Sequence, residues 1–184
     1  MFQKLLKKIA AALDKQHVPY MVIGGQAVLL YGEPRLTKDI DITLGIGIDG
    51  LAKIKRMVNA LHLRYLANHV DVFVKETMVL PVIDTPSGIR VDFIFSYSPY
   101  ERQAIERARR IKFGKTDVKF AALEDVVIHK IIAARARDIE DIRCILLKNP
   151  DYDSRYIEKW LAEFDASLGK KYRASFLALK KPKI

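Results

Sequence analysis

The sequence predicts an α/β (α+β) fold, a mixed β-sheet core with flanking helices followed by a helical C-terminal portion. Three observations lead there. Over the first 120 residues, short apolar or alternating runs of strand length are interleaved with stretches of helical periodicity. From Leu123 onward every patterned stretch has helical spacing. The chain has 184 residues, half of them hydrophobic and 29% charged, which is enough for one buried core with a modest extension. The expected division is an α/β core over 1–120 and a helical portion over 121–184.

The opening stretch MFQKLLKKIAAALDKQ places Phe2, Leu5, Leu6, Ile9 and Leu13 on one helical stripe. Lysines recur among its apolar positions and no small-residue cleavage site follows, so it reads as the first helix of a cytoplasmic protein rather than a signal peptide. Tyr20–Ile23 is a short buried strand running into Gly24-Gly25, and 26–31 is a short helix broken by Gly32, Glu33 and Pro34. Residues 36–44 alternate cleanly. Leu36, Lys38, Ile40, Ile42 and Leu44 share one face, while Thr37, Asp39, Asp41 and Thr43 share the other.

A helix is expected over 49–60 with Asp49 as its N-cap. Val70–Val74 reads as a short strand, and 78–83 and 89–95 as strands joined by a turn at 84–88. Residues 98–109 look helical, and 111–120 form a hairpin about Gly114-Lys115. Helices are expected over 123–135, 138–147, 153–165 and 167–180. No apolar run approaches the roughly 20 residues needed to span a bilayer, so no membrane partner is expected. The single cysteine, Cys144, excludes an internal disulfide and reads as a buried packing residue.

Asp39 and Asp41 stand two apart on a strand, so their carboxylates leave the same face about 7 Å apart. Like charges so placed need solvent or cations between them, and Mg²⁺ suits an all-oxygen site completed by water and phosphate. Asp92 lies in the apolar run IRVDFIF, where an acid is costly unless paired or metal-bound. If the two strands pair, the three acids cluster and can hold two metal ions, the arrangement used for in-line nucleotidyl displacement. A salt bridge to Arg90 is the competing explanation for Asp92. Gly24 and Gly25, between a strand and a helix, allow close backbone approach to a phosphate, although a ligand-free tight turn reads the same way.

Together, Ile23-Gly24-Gly25, Asp39-Ile40-Asp41-Ile42 and Val91-Asp92-Phe93 resemble the DNA-polymerase-β-like nucleotidyltransferase superfamily. The stretch GGQAVLLYGEPRLTKDIDI looks closest to the AbiEii-type toxin nucleotidyltransferases, including the Arg35-x-Thr37 before the paired acids. The resemblance covers about residues 18 to 147. It implies a Gly24-Gly25 turn that cradles an NTP, with Arg35 and Thr37 also on the substrate side. Asp39, Asp41 and Asp92 would hold two Mg²⁺ ions, or Mn²⁺, and Asp92 would help deprotonate the acceptor hydroxyl. Lys130 would contact the triphosphate, and either Asp138 or Asp141 would complete the site. For Lys130 a solvated helix lysine, and for the two acids stabilisation of a helix N-terminus, are the plain structural explanations.

The formal net charge is +10. Basic residues gather at Arg102, Arg107, Arg109, Arg110, Lys112 and Lys115, and again at Lys170, Lys171, Arg173, Lys180, Lys181 and Lys183. Such surfaces attract polyanions. The resemblance makes RNA, at a tRNA 3′ end, the expected acceptor, with a toxin role and a cognate antitoxin. Transfer to a small molecule, as in aminoglycoside nucleotidyltransferases, or to a protein hydroxyl stays open. So does a non-catalytic binding partner that keeps the fold, though that role has no need of three clustered carboxylates. Gly45, Gly47 and Gly50 spell a dinucleotide-binding fingerprint. Asp49 would stand where the pyrophosphate must land, so they are read as a loop. The histidines show no zinc spacing.

Overall fold

The computed structural model describes residues 1–34, 36–96 and 98–180. Arg35, Lys181 and Lys183, named above, lie outside them. The chain divides into two compact units. One comprises Met1–Gln26 with Thr37–Ala121, and the other Ala27–Leu36 with the chain from Ala122 onward.

The first unit is built on one mixed sheet. Its strands are β1 (Tyr20–Ile23), β2 (Asp39–Leu44), β3 (Arg64–Tyr65), β4 (Val79–Asp84), β5 (Ile89–Phe95), β6 (Arg109–Phe113) and β7 (Thr116–Phe120), in the spatial order β3-β4-β5-β2-β1-β7-β6. β2 pairs antiparallel with β1 and parallel with β5. Ile40, Ile42, Leu44, Val91, Phe93 and Phe95 are all fully buried, as their alternation requires. Helix α1 (Phe2–Lys15) buries Leu5, Leu6, Ile9, Ala10 and Leu13, and packs on β7. Phe2 of the expected stripe is only half-buried.

Several expectations change. β2 begins at Asp39, and Leu36 is 90% exposed, so the buried face does not extend to it. Asp49 is not an N-cap but sits in a 3-10 turn, Ile48–Gly50, ahead of helix α3 (Leu51–Ala60). Residues 70–74 are not a strand. They open helix α4 (Val70–Thr77), whose alternating valines misled because only Val74 is buried and Asp71 turns outward to Lys55 at 2.8 Å. Helix α5 (Pro99–Glu106) begins with a reciprocal capping box between Ser98 and Glu101. Hairpins β4–β5 and β6–β7 turn through Gly88 and Gly114, each with positive φ.

Helix α2 (Gly24–Tyr31) starts at Gly24 itself. The second unit contains α6 (Leu123–Ala133), α7 (Ala136–Lys148), α8 (Ser154–Leu168) and α9 (Tyr172–Lys180). Residues 27–34 belong with these helices for visible reasons. Asn149 donates to the Tyr31 carbonyl at 2.9 Å, Lys148 reaches Glu33 at 2.7 Å, and a Cβ at Gly32 would press on Ile145. Cys144 on α7 is part-exposed rather than buried. Among the described residues no helix is long and apolar enough to cross a membrane.

Candidate active site

The parallel register of β2 and β5 makes Asp39 the partner of Arg90 and Asp41 the partner of Asp92. Partners in register face the same side of a sheet, so Asp39, Asp41, Arg90 and Asp92 form a two-by-two block of charge. Neighbouring strands lie about 4.8 Å apart, which sets the spacing between Asp41 and Asp92 at the backbone. Asp39 is exposed, and Asp41 and Asp92 are half-buried. Arg90 donates from Nε to Oδ1 of Asp92 at 2.9 Å, so the ion pair weighed for Asp92 is present. That hydrogen bond, followed by the charges of Asp92, Asp39 and Asp41, holds the guanidinium above its ordinary value against the opposing effect of burial. Arg90 therefore senses all three acids.

The strand order brings Gly24 to the same place. Ile23 pairs with Asp41, and β1 ends there. Gly24 has φ +64°, and a Cβ on it would overlap Oδ2 of Asp41. Glycine is demanded twice, by backbone conformation and by the carboxylate against it. Gly25 lies half-buried in the first turn of α2. Thr37, just before the strand, hydrogen-bonds the Asp39 carbonyl at 3.4 Å through its hydroxyl.

In donor chemistry the three carboxylates fit a hard divalent cation, which takes oxygen ligands. Among the described residues no three ligating side chains converge on one point as they stand. One Asp92 oxygen is held by Arg90 instead.

Lys130, Asp138 and Asp141 belong to the second unit and meet one another there. Lys130 Nζ lies 2.7 Å from an oxygen of each acid, and all three are buried. Lys130 is therefore not a solvated helix lysine. Asp138 and Asp141 both hold it. The remaining Asp138 oxygen accepts from the Arg135 backbone N–H at 3.3 Å, at the start of α7. Lys130 also borders a mostly apolar cavity of about 340 Å³, with Ile131, Ile142, Tyr172 and Leu179. Sequence reasoning treated Arg90 only as a rival partner for Asp92. Its position two residues before Asp92, and so on the same strand face, was the signal that it belongs to the block.

No curated protein matches the chain. Solved structures share its fold. ANT(2″)-Ia in complex with adenylyl-2″-tobramycin has a TM-score of 0.62 at 18% identity, over 90% of this chain and 98% of that one. An antigenic nucleotidyltransferase-like protein from Paracoccidioides brasiliensis has a TM-score of 0.56 at 18% identity, over 99% and 93%. The lincosamide antibiotic adenylyltransferase LnuA, lincomycin-bound, has a TM-score of 0.54 at 16% identity, over 77% and 94%. The model of one family, described as nucleotidyltransferase of unknown function (DUF6036), matches residues 1–177. With the acids paired across β2 and β5 and Gly24 pressed on Asp41, this match over nearly the whole length identifies the chain as a member of that nucleotidyltransferase family.

Proposed function

We infer that the protein transfers a nucleoside monophosphate from an NTP to an acceptor hydroxyl, on the face of the sheet that carries Asp39, Asp41 and Asp92. The observation that carries this reading is the register of Asp41 with Asp92, beside a glycine that no side chain can replace. Divalent Mg²⁺, or Mn²⁺, held by the three acids would neutralise the phosphate oxygens and acidify the attacking hydroxyl. The acceptor oxygen bonds to the α-phosphorus, the bond to the departing pyrophosphate breaks, and the hydroxyl proton passes to a carboxylate such as Asp92. The Gly24-Gly25 backbone at the start of α2 approaches the phosphates, and Thr37 steadies the approach to β2. Lys130, which the resemblance implies as the triphosphate contact, is fixed by Asp138 and Asp141 within the second unit, so its ammonium is pre-set rather than mobile.

RNA is the acceptor favoured by charge. Residues 102–119 hold seven basic side chains against two acidic ones, half of the formal +10, and they centre on the edge hairpin β6–β7. A tRNA 3′ end, a toxin role and a cognate antitoxin rest on the AbiEii-type resemblance alone. A small-molecule acceptor is the second reading, supported by the adenylyl-tobramycin and lincomycin named for two proteins of like fold. Incubation with each α-labelled NTP, Mg²⁺ and separate RNA, protein and small-molecule fractions distinguishes them. Label is expected in the RNA fraction. Label confined to the small-molecule fraction would replace the first reading with the second.

A further inference from the structure

Arg90 is the one positive member of the block formed by Asp39, Asp41 and Asp92, and it is half-exposed while Asp92 is largely covered. Three carboxylates on one face of two adjacent strands repel one another, and a metal-free chain needs some counter-charge there. The guanidinium supplies it by taking Oδ1 of Asp92 at 2.9 Å. A divalent ion drawing on the same acids needs that oxygen or one beside it.

We propose that Arg90 is a resident counter-cation that competes with divalent metal for Asp92, keeping the acid block folded without metal and releasing Asp92 only as metal loads. The inference rests on the proposed metal-dependent transfer at these acids. It assigns Arg90 a positioning role, acting through Asp92. Two consequences follow from the competition. Metal affinity in the absence of nucleotide is held down, and the carboxylate proposed to take the acceptor proton is engaged until the site is charged. An Arg that merely tied the strand together would affect stability and leave metal binding alone.

The test is Mn²⁺ binding by electron paramagnetic resonance and calorimetry, with melting curves, on wild type, Arg90→Gln, Asp92→Asn and the double variant. Arg90→Lys serves as a milder substitution should Arg90→Gln fold poorly. Arg90→Gln is expected to bind Mn²⁺ about fivefold more tightly than wild type, the size of a partly exposed ion pair removed from competition. Without metal it melts lower than wild type, and Mn²⁺ raises its melting temperature by more. In the Asp92→Asn background the same substitution is expected to change Mn²⁺ affinity much less, because the contested ligand is gone. Equal or weaker Mn²⁺ binding by Arg90→Gln overturns the inference, as does a gain that persists undiminished without Asp92. If none of these proteins, wild type included, binds Mn²⁺, the metal reading itself fails and takes this one with it.

Discussion

At Gly24 the chain is asked for two things at once: a left-handed backbone at φ +64° and an empty position where a Cβ would overlap the Asp41 carboxylate. A left-handed L-residue costs about 1–2 kcal/mol by itself. Gly24→Ala is expected to lose at least that in chemical denaturation, and to lose transfer activity because Asp41 must move. Gly88 offers the control. It has φ +69° with nothing within 4 Å of a Cβ, so Gly88→Ala should show the conformational cost alone and keep transfer. At this scale the paired acids and the glycine turn were legible, since strand alternation and residue type determine which side chains share a face. The contact between Gly24 and Asp41 was not legible, because it depends on β1 and β2 being antiparallel neighbours. For Lys130 the sequence left a solvated helix lysine open beside a triphosphate contact, and two acids from α7 close on it. Lys130→Met would leave two buried carboxylates without their cation and should cost about 3–5 kcal/mol of unfolding free energy. Replacing all three residues with neutral ones should recover much of that loss.

Among the elements, β5 shows what sequence pattern can and cannot decide. Its residues and its hairpin with β4 follow from alternation and a Gly-containing turn, but its parallel pairing with β2 joins strands far apart in sequence. Asp92 reaches the site through that non-local pairing. α4 was missed for a physical reason: Val70, Val72 and Val74 alternate like a strand, while tertiary packing uses only one of them. α5 was legible as a helix over 98–109, although Arg109 already opens β6, and its cap makes a pH-dependent prediction. Burial pushes the Glu101 carboxyl up, but hydrogen bonds from Ser98 and Ser96 outweigh it and leave the group below its ordinary 4.5. A depressed carboxyl contributes stability that is complete above the unfolded value and is lost as pH falls through the folded one. Glu101→Ala should therefore cost about 1 kcal/mol at pH 7. The gap between its melting curve and that of wild type should close as pH drops below 4.5.

For the molecule as a whole, residues 27–34 group with the later helices rather than with the strands that flank them in sequence. That grouping depends on contacts such as Asn149 with Tyr31, between segments more than a hundred residues apart, which no local pattern announces. Charge is the whole-molecule property that was plain from the start, and it bears on the acceptor. Arg110, Lys112 and Lys115 are exposed on the edge hairpin. If RNA lies there, reversing their charge should weaken RNA binding and flatten its dependence on salt by about two units of log–log slope. An unchanged slope would move the acceptor elsewhere. The central claim is chemical, that the sheet face bearing Asp41 performs nucleotidyl transfer. It is tested most directly by following α-labelled NTP with Mg²⁺ for wild type and Asp41→Asn, after melting curves establish that both are folded. The account predicts labelled acceptor and released pyrophosphate from wild type and neither from Asp41→Asn. Equal labelling by the two proteins would contradict it.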